Sequence, residues 1–204
     1  MAAWYEPQWP HDFNVLKMSS GKRFVDKVRD QAREIWSVAG NVILFIVITL
    51  AFHFIWKIFQ DQIEQAAVII SLGDWFATRA YTVADWIQTH LLRMNYSTAD
   101  PNIFIFNGKG SIIINESCSG LKQYYQVLVL FLLFPGPWRH KAWFIPGSLL
   151  VMYWTNIFRV VMLSVAMALI PQHWHFIHDW VLRPFFYVVL FALWIWWVER
   201  WAKG

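Results

Sequence analysis

The chain reads as an all-α integral membrane protein of about four transmembrane helices, with an extracytoplasmic amphipathic helix and a small β-hairpin between the first two. Three observations predict this. Of 204 residues, 58% are hydrophobic and 19% aromatic, including 15 Trp and 17 Phe, far more than an ordinary soluble domain carries. The apolar residues gather into runs of membrane-crossing length. The charges flank those runs, so the net charge of +4 marks topology and not a nucleic-acid surface. Met1 to Pro7 is neither basic nor promptly followed by a short apolar core, so the first span is expected to act as an uncleaved signal-anchor.

Residues 1–36 form an N-terminal extension in which Lys17, Lys22, Arg23, Lys27, Arg29 and Arg33 mix with Asp26, Asp30 and Glu34. This predicts a short amphipathic helix on the inner leaflet or a solvated helical extension. Residues 37–204 form one membrane domain. Its first span, about 42–59, is bracketed by Trp36 and by Trp56 and Lys57, and the basic flank sets the N-terminus in the cytoplasm. His53, near its outer end, reads as an interfacial side chain. In residues 61–92 the charges of Asp74, Arg79 and Asp85 interrupt the apolar pattern. There Phe76, Ala80, Val83, Ile87 and Leu91 recur at helical spacing, which favours an amphipathic helix on the outer surface or packed sideways on the bundle over a re-entrant or tilted span. Ile103 to Phe106 and Ser111 to Ile114 flank Asn107-Gly108-Lys109-Gly110, a strong hairpin signal. Two strands are marginal alone, so the hairpin is expected to pack on helices or on a bound peptide. A second span at about 120–135 leads to the basic turn Pro135 to Lys141, a third at about 143–170 ends at Pro171, and a fourth at about 180–198 ends beside Arg200 and Lys203. Both termini are then cytoplasmic.

This topology brings three polar features to the extracytoplasmic side. Cys118, the sole cysteine, cannot staple the fold; it is either a small buried hydrophobe or a reactive thiol. Arg159 lies about 20 Å along a helix beginning near Phe144. A charge there costs roughly 2.5 to 3.5 kcal/mol near the bilayer centre, so it faces the bundle with a partner, snorkels to the headgroups, or pairs with a carboxylate such as Glu116. Asn156 points the same way as Arg159. His173, His175 and His178 occupy an outer loop before the last span. A thiol, with an ordinary pKa of about 8.5, needs a base at neutral pH, and histidine is suited to that. Arginine cannot serve as a base and instead suits a developing oxyanion or a substrate carboxylate. The histidine spacing lacks the regularity of a metal site, and no cofactor or metal is implied.

Glu116-Ser117-Cys118-Ser119-Gly120-Leu121 opening a membrane helix, then Asn156-Ile157-Phe158-Arg159 in the next, then a histidine before the last, resembles the exosortase/archaeosortase family over roughly residues 100–198. The resemblance implies a polytopic plasma-membrane enzyme acting on exported proteins that end in a short motif, an apolar helix and a basic tail. It makes Cys118 the nucleophile, Arg159 the essential arginine and His178 the histidine, chosen because it lies nearest the helix start at Trp180, with His175 and His173 as alternative bases. Glu116, Asn156 and Gly120 are the supporting residues. The sorting signal's helix would pack beside the enzyme's own helices among the membrane lipids, and the hairpin could hold the cleavage motif by strand addition. The chain has fewer spans than larger relatives, which raises the prospect of a homo-oligomer or a helper protein. Two rivals are a cysteine protease that only hydrolyses and a non-catalytic assembly or scaffold subunit of an envelope export complex.

Overall fold

The computed structural model describes residues 27, 29, 39–60, 62, 65–99, 101–115 and 118–202. The expected N-terminal amphipathic helix, save for Lys27 and Arg29, lies outside them, as does Glu116. Two compact units divide the chain; Met1–Leu44 contains the opening turns of helix α1, and Phe45–Gly204 contains every contact described below.

The chain is a helical membrane protein with a small sheet. Among the described residues, three helices are long and apolar enough to cross a membrane: α1 (Ala39–Gln60), α4 (Trp138–Leu169) and the C-terminal helical stretch Pro171–Trp201. Helix α3 (Leu121–Leu133) is apolar but has 13 residues. At 1.5 Å per residue it spans about 20 Å, against about 30 Å of hydrocarbon. The second expected span therefore corresponds to a helix shorter than the hydrocarbon thickness. From Phe45 onward α1 rests on the C-terminal helix through Phe45, whose ring lies 5.6 Å from Phe191 and 4.7 Å from Trp194.

Helix α2 (Ala67–Trp86) packs on α4 and α3 and is not among the helices apolar enough to span. Its buried face includes Ala80 of the expected stripe, with Val83 and Ile87 packed against the core, but is centred on smaller residues. Gly73, Ala77, Ala80 and Ala84 are buried, whereas Leu91 is exposed. Small side chains let the helix backbones approach, and the larger Phe76 lies at the margin against Tyr124. The final turn, Ile87–Leu91, is π-helical, and its wider winding carries Leu91 out of phase with the helix before it.

The expected hairpin is present and gains a third strand. β1 (Ser97–Ala99), β2 (Ile103–Phe106) and β3 (Gly110–Ile113) form an antiparallel sheet in the order β1-β2-β3. Alternation puts Phe104, Phe106, Ile112 and Ile114 into the core, where Tyr81 stacks on Phe104 at 4.5 Å. Tyr96 donates a hydrogen bond to Asp85 at 2.8 Å, and burial pushes its hydroxyl up to about 12, so it stays neutral at physiological pH. Lys109, in the hairpin turn, donates to the Ala168 carbonyl in the last turn of α4, where a cation suits the negative end of the helix dipole. The sheet is thereby fixed to the end of α4 that carries Arg159.

At the opposite end, the turn between α3 and α4 is held by two long side chains. Lys141 reaches back to the Leu132 carbonyl at 3.0 Å, satisfying an orphan acceptor at the end of α3. Trp197 Nε1 donates to the Pro135 carbonyl at 2.9 Å. Gly136, with φ at +145°, lies so close that a Cβ there would meet Trp197 at 2.5 Å.

The three histidines do not occupy a loop. Pro171 ends α4 but also opens a 3-10 turn, Pro171–His173. The chain continues as a short α-helical turn α5 (Trp174–Phe176), a π-helical turn Ile177–Leu182, helix α6 (Arg183–Trp197) and a final π turn Val198–Ala202. Proline lacks an N–H that a first turn does not need, so the residue that stops one helix starts the next.

Candidate functional site

Cys118 stands just before the N-terminus of α3. Its N–H donates to the Asn115 carbonyl at 2.9 Å, and Ser119 Oγ then accepts the Leu121 N–H at 3.1 Å as the helix begins. Gly120 makes the corner, with φ at +79°. A side chain there would be strained by that angle and would also meet Asn156 Cγ at 3.0 Å. Asn156 is fully buried and donates from Nδ2 to the Cys118 carbonyl at 2.9 Å, so α4 fixes the backbone of the cysteine turn directly. The thiol is half-buried against the core cluster and points at the Ile113 carbonyl, 4.0 Å away at the end of β3.

Arg159 lies on the same face of α4, about 4.5 Å further along the axis than Asn156. It is buried and lies within electrostatic range of the Cys118 side chain. Its guanidinium lies 5.7 Å from the Phe186 ring, and Nη2 is 3.2 Å from His178 Nε2. Arginine only donates, so Nε2 accepts and the imidazole proton belongs on Nδ1. That nitrogen is 2.7 Å from Asp179 Oδ1, which also pairs with Arg183 at 3.3 Å. Trp174 stacks parallel to the imidazole at 5.1 Å. The hydrogen-bonded chain from Arg159 through His178 and Asp179 to Arg183 is consistent at each link in donor and acceptor.

The structure therefore joins Asn156 to Cys118 and Gly120, and joins Arg159 to His178. His173 and His175 are both exposed, and neither bonds to Arg159. Among the described residues the thiol makes no hydrogen bond to a histidine. Asp179, Trp174 and Arg183 were not singled out in the sequence. The i, i+4 spacing of Asp179 and Arg183 was the available signal. The stacking of Trp174 depends on the π turn and had none.

A comparison with curated proteins finds no match, and one with solved structures finds none either. The family model for transmembrane exosortase matches residues 33–195, a stretch that takes in Cys118, Asn156, Arg159 and His178. With that match covering most of its length, the chain belongs to the transmembrane exosortase family.

Proposed function

We propose that this protein is a plasma-membrane cysteine transpeptidase or protease that cleaves the C-terminal sorting signals of exported proteins on the extracytoplasmic side. Both termini lie in the cytoplasm. The observation that carries this reading is the buried Arg159, within electrostatic reach of Cys118 and bonded to a histidine oriented by Asp179. A buried arginine in a membrane helix is costly, and here it is bonded to an imidazole and lies over the Phe186 ring.

At rest Arg159 occupies the Nε2 lone pair that a base would use. When a substrate carbonyl arrives, the guanidinium turns to its oxygen and releases Nε2. His178 then takes the Cys118 proton, and the thiolate adds to the carbonyl carbon while Arg159 stabilises the oxyanion. Collapse breaks the C–N bond, His178 returns its proton to the leaving amine, and an acyl-thioenzyme remains. An amine or water attacks that thioester, losing its proton to His178, and the thiolate recovers a proton as it leaves. Asp179 holds the imidazole tautomer and stabilises the transient imidazolium. A homo-oligomer or a helper protein would complete a core with few spans.

The rival reading, a non-catalytic assembly subunit, is favoured by one observation: the thiol packs against the core and its partner is a backbone carbonyl. Co-expression of the full chain with an exported protein of the same host ending in an apolar helix and a basic tail separates the two. Tail removal is expected to stop in Cys118→Ala and to fall sharply in Arg159→Lys and His178→Asn. Undiminished processing by Cys118→Ala would sink the enzyme reading. The mass of the new C-terminus distinguishes transpeptidation from hydrolysis.

A further inference from the structure

We infer that the outer edge of β3 is the docking strand for an extended substrate peptide, and that it delivers the scissile carbonyl to Cys118. The inference rests on the reading of Cys118 as the nucleophile. Backbone direction supplies the first step. In an antiparallel pair, residues alternate between those whose N–H and C=O face the partner strand and those whose groups face away. Ile114 donates its N–H to the Asn102 carbonyl at 2.9 Å, so Ile114 faces β2. Ile112 then does the same, opposite Phe104, while Ser111 and Ile113 turn their N–H and C=O groups outward.

The second step is what meets those outward groups. The sheet order leaves β3 at an edge, and among the described residues no backbone partner lies beyond it. Among the described residues, the Ile113 carbonyl is approached by the Cys118 thiol at 4.0 Å. Ile113 is 56% exposed although Ile112 and Ile114 on either side are buried. An open row of donors and acceptors therefore ends at the reactive atom.

That continuity selects the occupant. A helix cannot satisfy an edge of outward N–H and C=O groups, whereas an extended peptide pairs with it by strand addition. A peptide strand that accepts from the Ser111 N–H and donates to its carbonyl runs onward to Ile113 and reaches Cys118 within one further residue, at about 3.3 Å per residue. The residues on the N-terminal side of the scissile bond, held this way, are read mainly through their backbone. The exposed Ile113 side chain offers an apolar contact to one of them.

Proline tests the edge without disturbing the ladder, because it deletes an N–H that β2 does not use. In the full-length protein, Ser111→Pro is expected to lower kcat/KM for tail removal by about tenfold, chiefly through KM. The control is Thr98→Pro on the opposite edge. Ile103 and Ile105 face β1, where they pair with Ala99 and Ser97, so the Thr98 N–H points outward as well. Thr98→Pro is expected to process the same substrate at the native rate. Native kinetics in Ser111→Pro would overturn the inference while leaving the nucleophile intact; continued processing by Cys118→Ala would overturn the underlying mechanism instead. Hydrogen exchange covers the case in which Ser111→Pro fails to fold. With the tail-bearing substrate bound to Cys118→Ala, the amides of Ser111 and Ile113 are expected to slow, and unchanged exchange at both would refute strand addition.

Discussion

Asn156 shows how much of the site is set by one residue. Its amide reaches the backbone of Cys118 and its side chain fills the space that Gly120 leaves, so the cysteine's turn and the arginine's helix are fixed by the same group. Asn156→Ala leaves the Cys118 carbonyl without that donor, a loss of about 1–3 kcal/mol. It is expected to lower both the melting temperature in detergent and the processing rate. Gly120→Ala meets the same Asn156 from the other side and is expected to cost about 1–3 kcal/mol through strain at φ +79°, read by the same melt. In the proposed mechanism Asp179 acts through His178, to which it is bonded, and not on the substrate. Asp179→Asn is expected to lower kcat on the order of 10–100-fold with little change in KM, because an amide can donate to Nδ1 and invert the tautomer; a KM effect alone would argue against that role. Cys118 and Arg159 were legible in the sequence because a lone thiol and a buried charge are rare enough to stand out. The function of Asn156 was not, since its partner is a main-chain carbonyl on another element.

Among the elements, those with a strong local signal were legible. Asn107-Gly108 marked the hairpin, and the apolar runs marked α1, α4 and the last helix. β1 was missed because Ser97-Thr98-Ala99 is short and carries no apolar alternation. The histidine segment was misread as a loop because Pro171 reads equally as a stop and as a start. The expected stripe through Ala80, Val83 and Ile87 does face the core, but the centre of the buried face of α2 falls on smaller residues, which close helix packing selects. The turn between α3 and α4 makes a separate prediction. Gly136→Ala would drive a Cβ into Trp197 at 2.5 Å and is expected to lower the melting temperature by several degrees. Alkylation of Cys118, at the far end of α3, is expected to keep its native rate, so a parallel loss of thiol reactivity would contradict the separation of the two ends.

For the whole molecule, composition alone established a helical membrane protein, and the family match agrees. Sequence could not say how the pieces meet, because the contacts that build the site join β3, the start of α3, α4 and the π turn before α6 across long separations. The proposed topology places that convergence on the extracytoplasmic side. A membrane-impermeant maleimide is expected to label Cys118 in intact cells, while a C-terminal tag stays protected until the membrane is opened. The central claim is that Cys118 carries the substrate's acyl group, and mass spectrometry of the full-length protein caught during turnover tests it most directly. A hydroxylamine-labile acyl adduct is expected on Cys118, absent from Cys118→Ala, which also fails to remove the tail. Tail removal that continues in Cys118→Ala, with no adduct on the native protein, would contradict it.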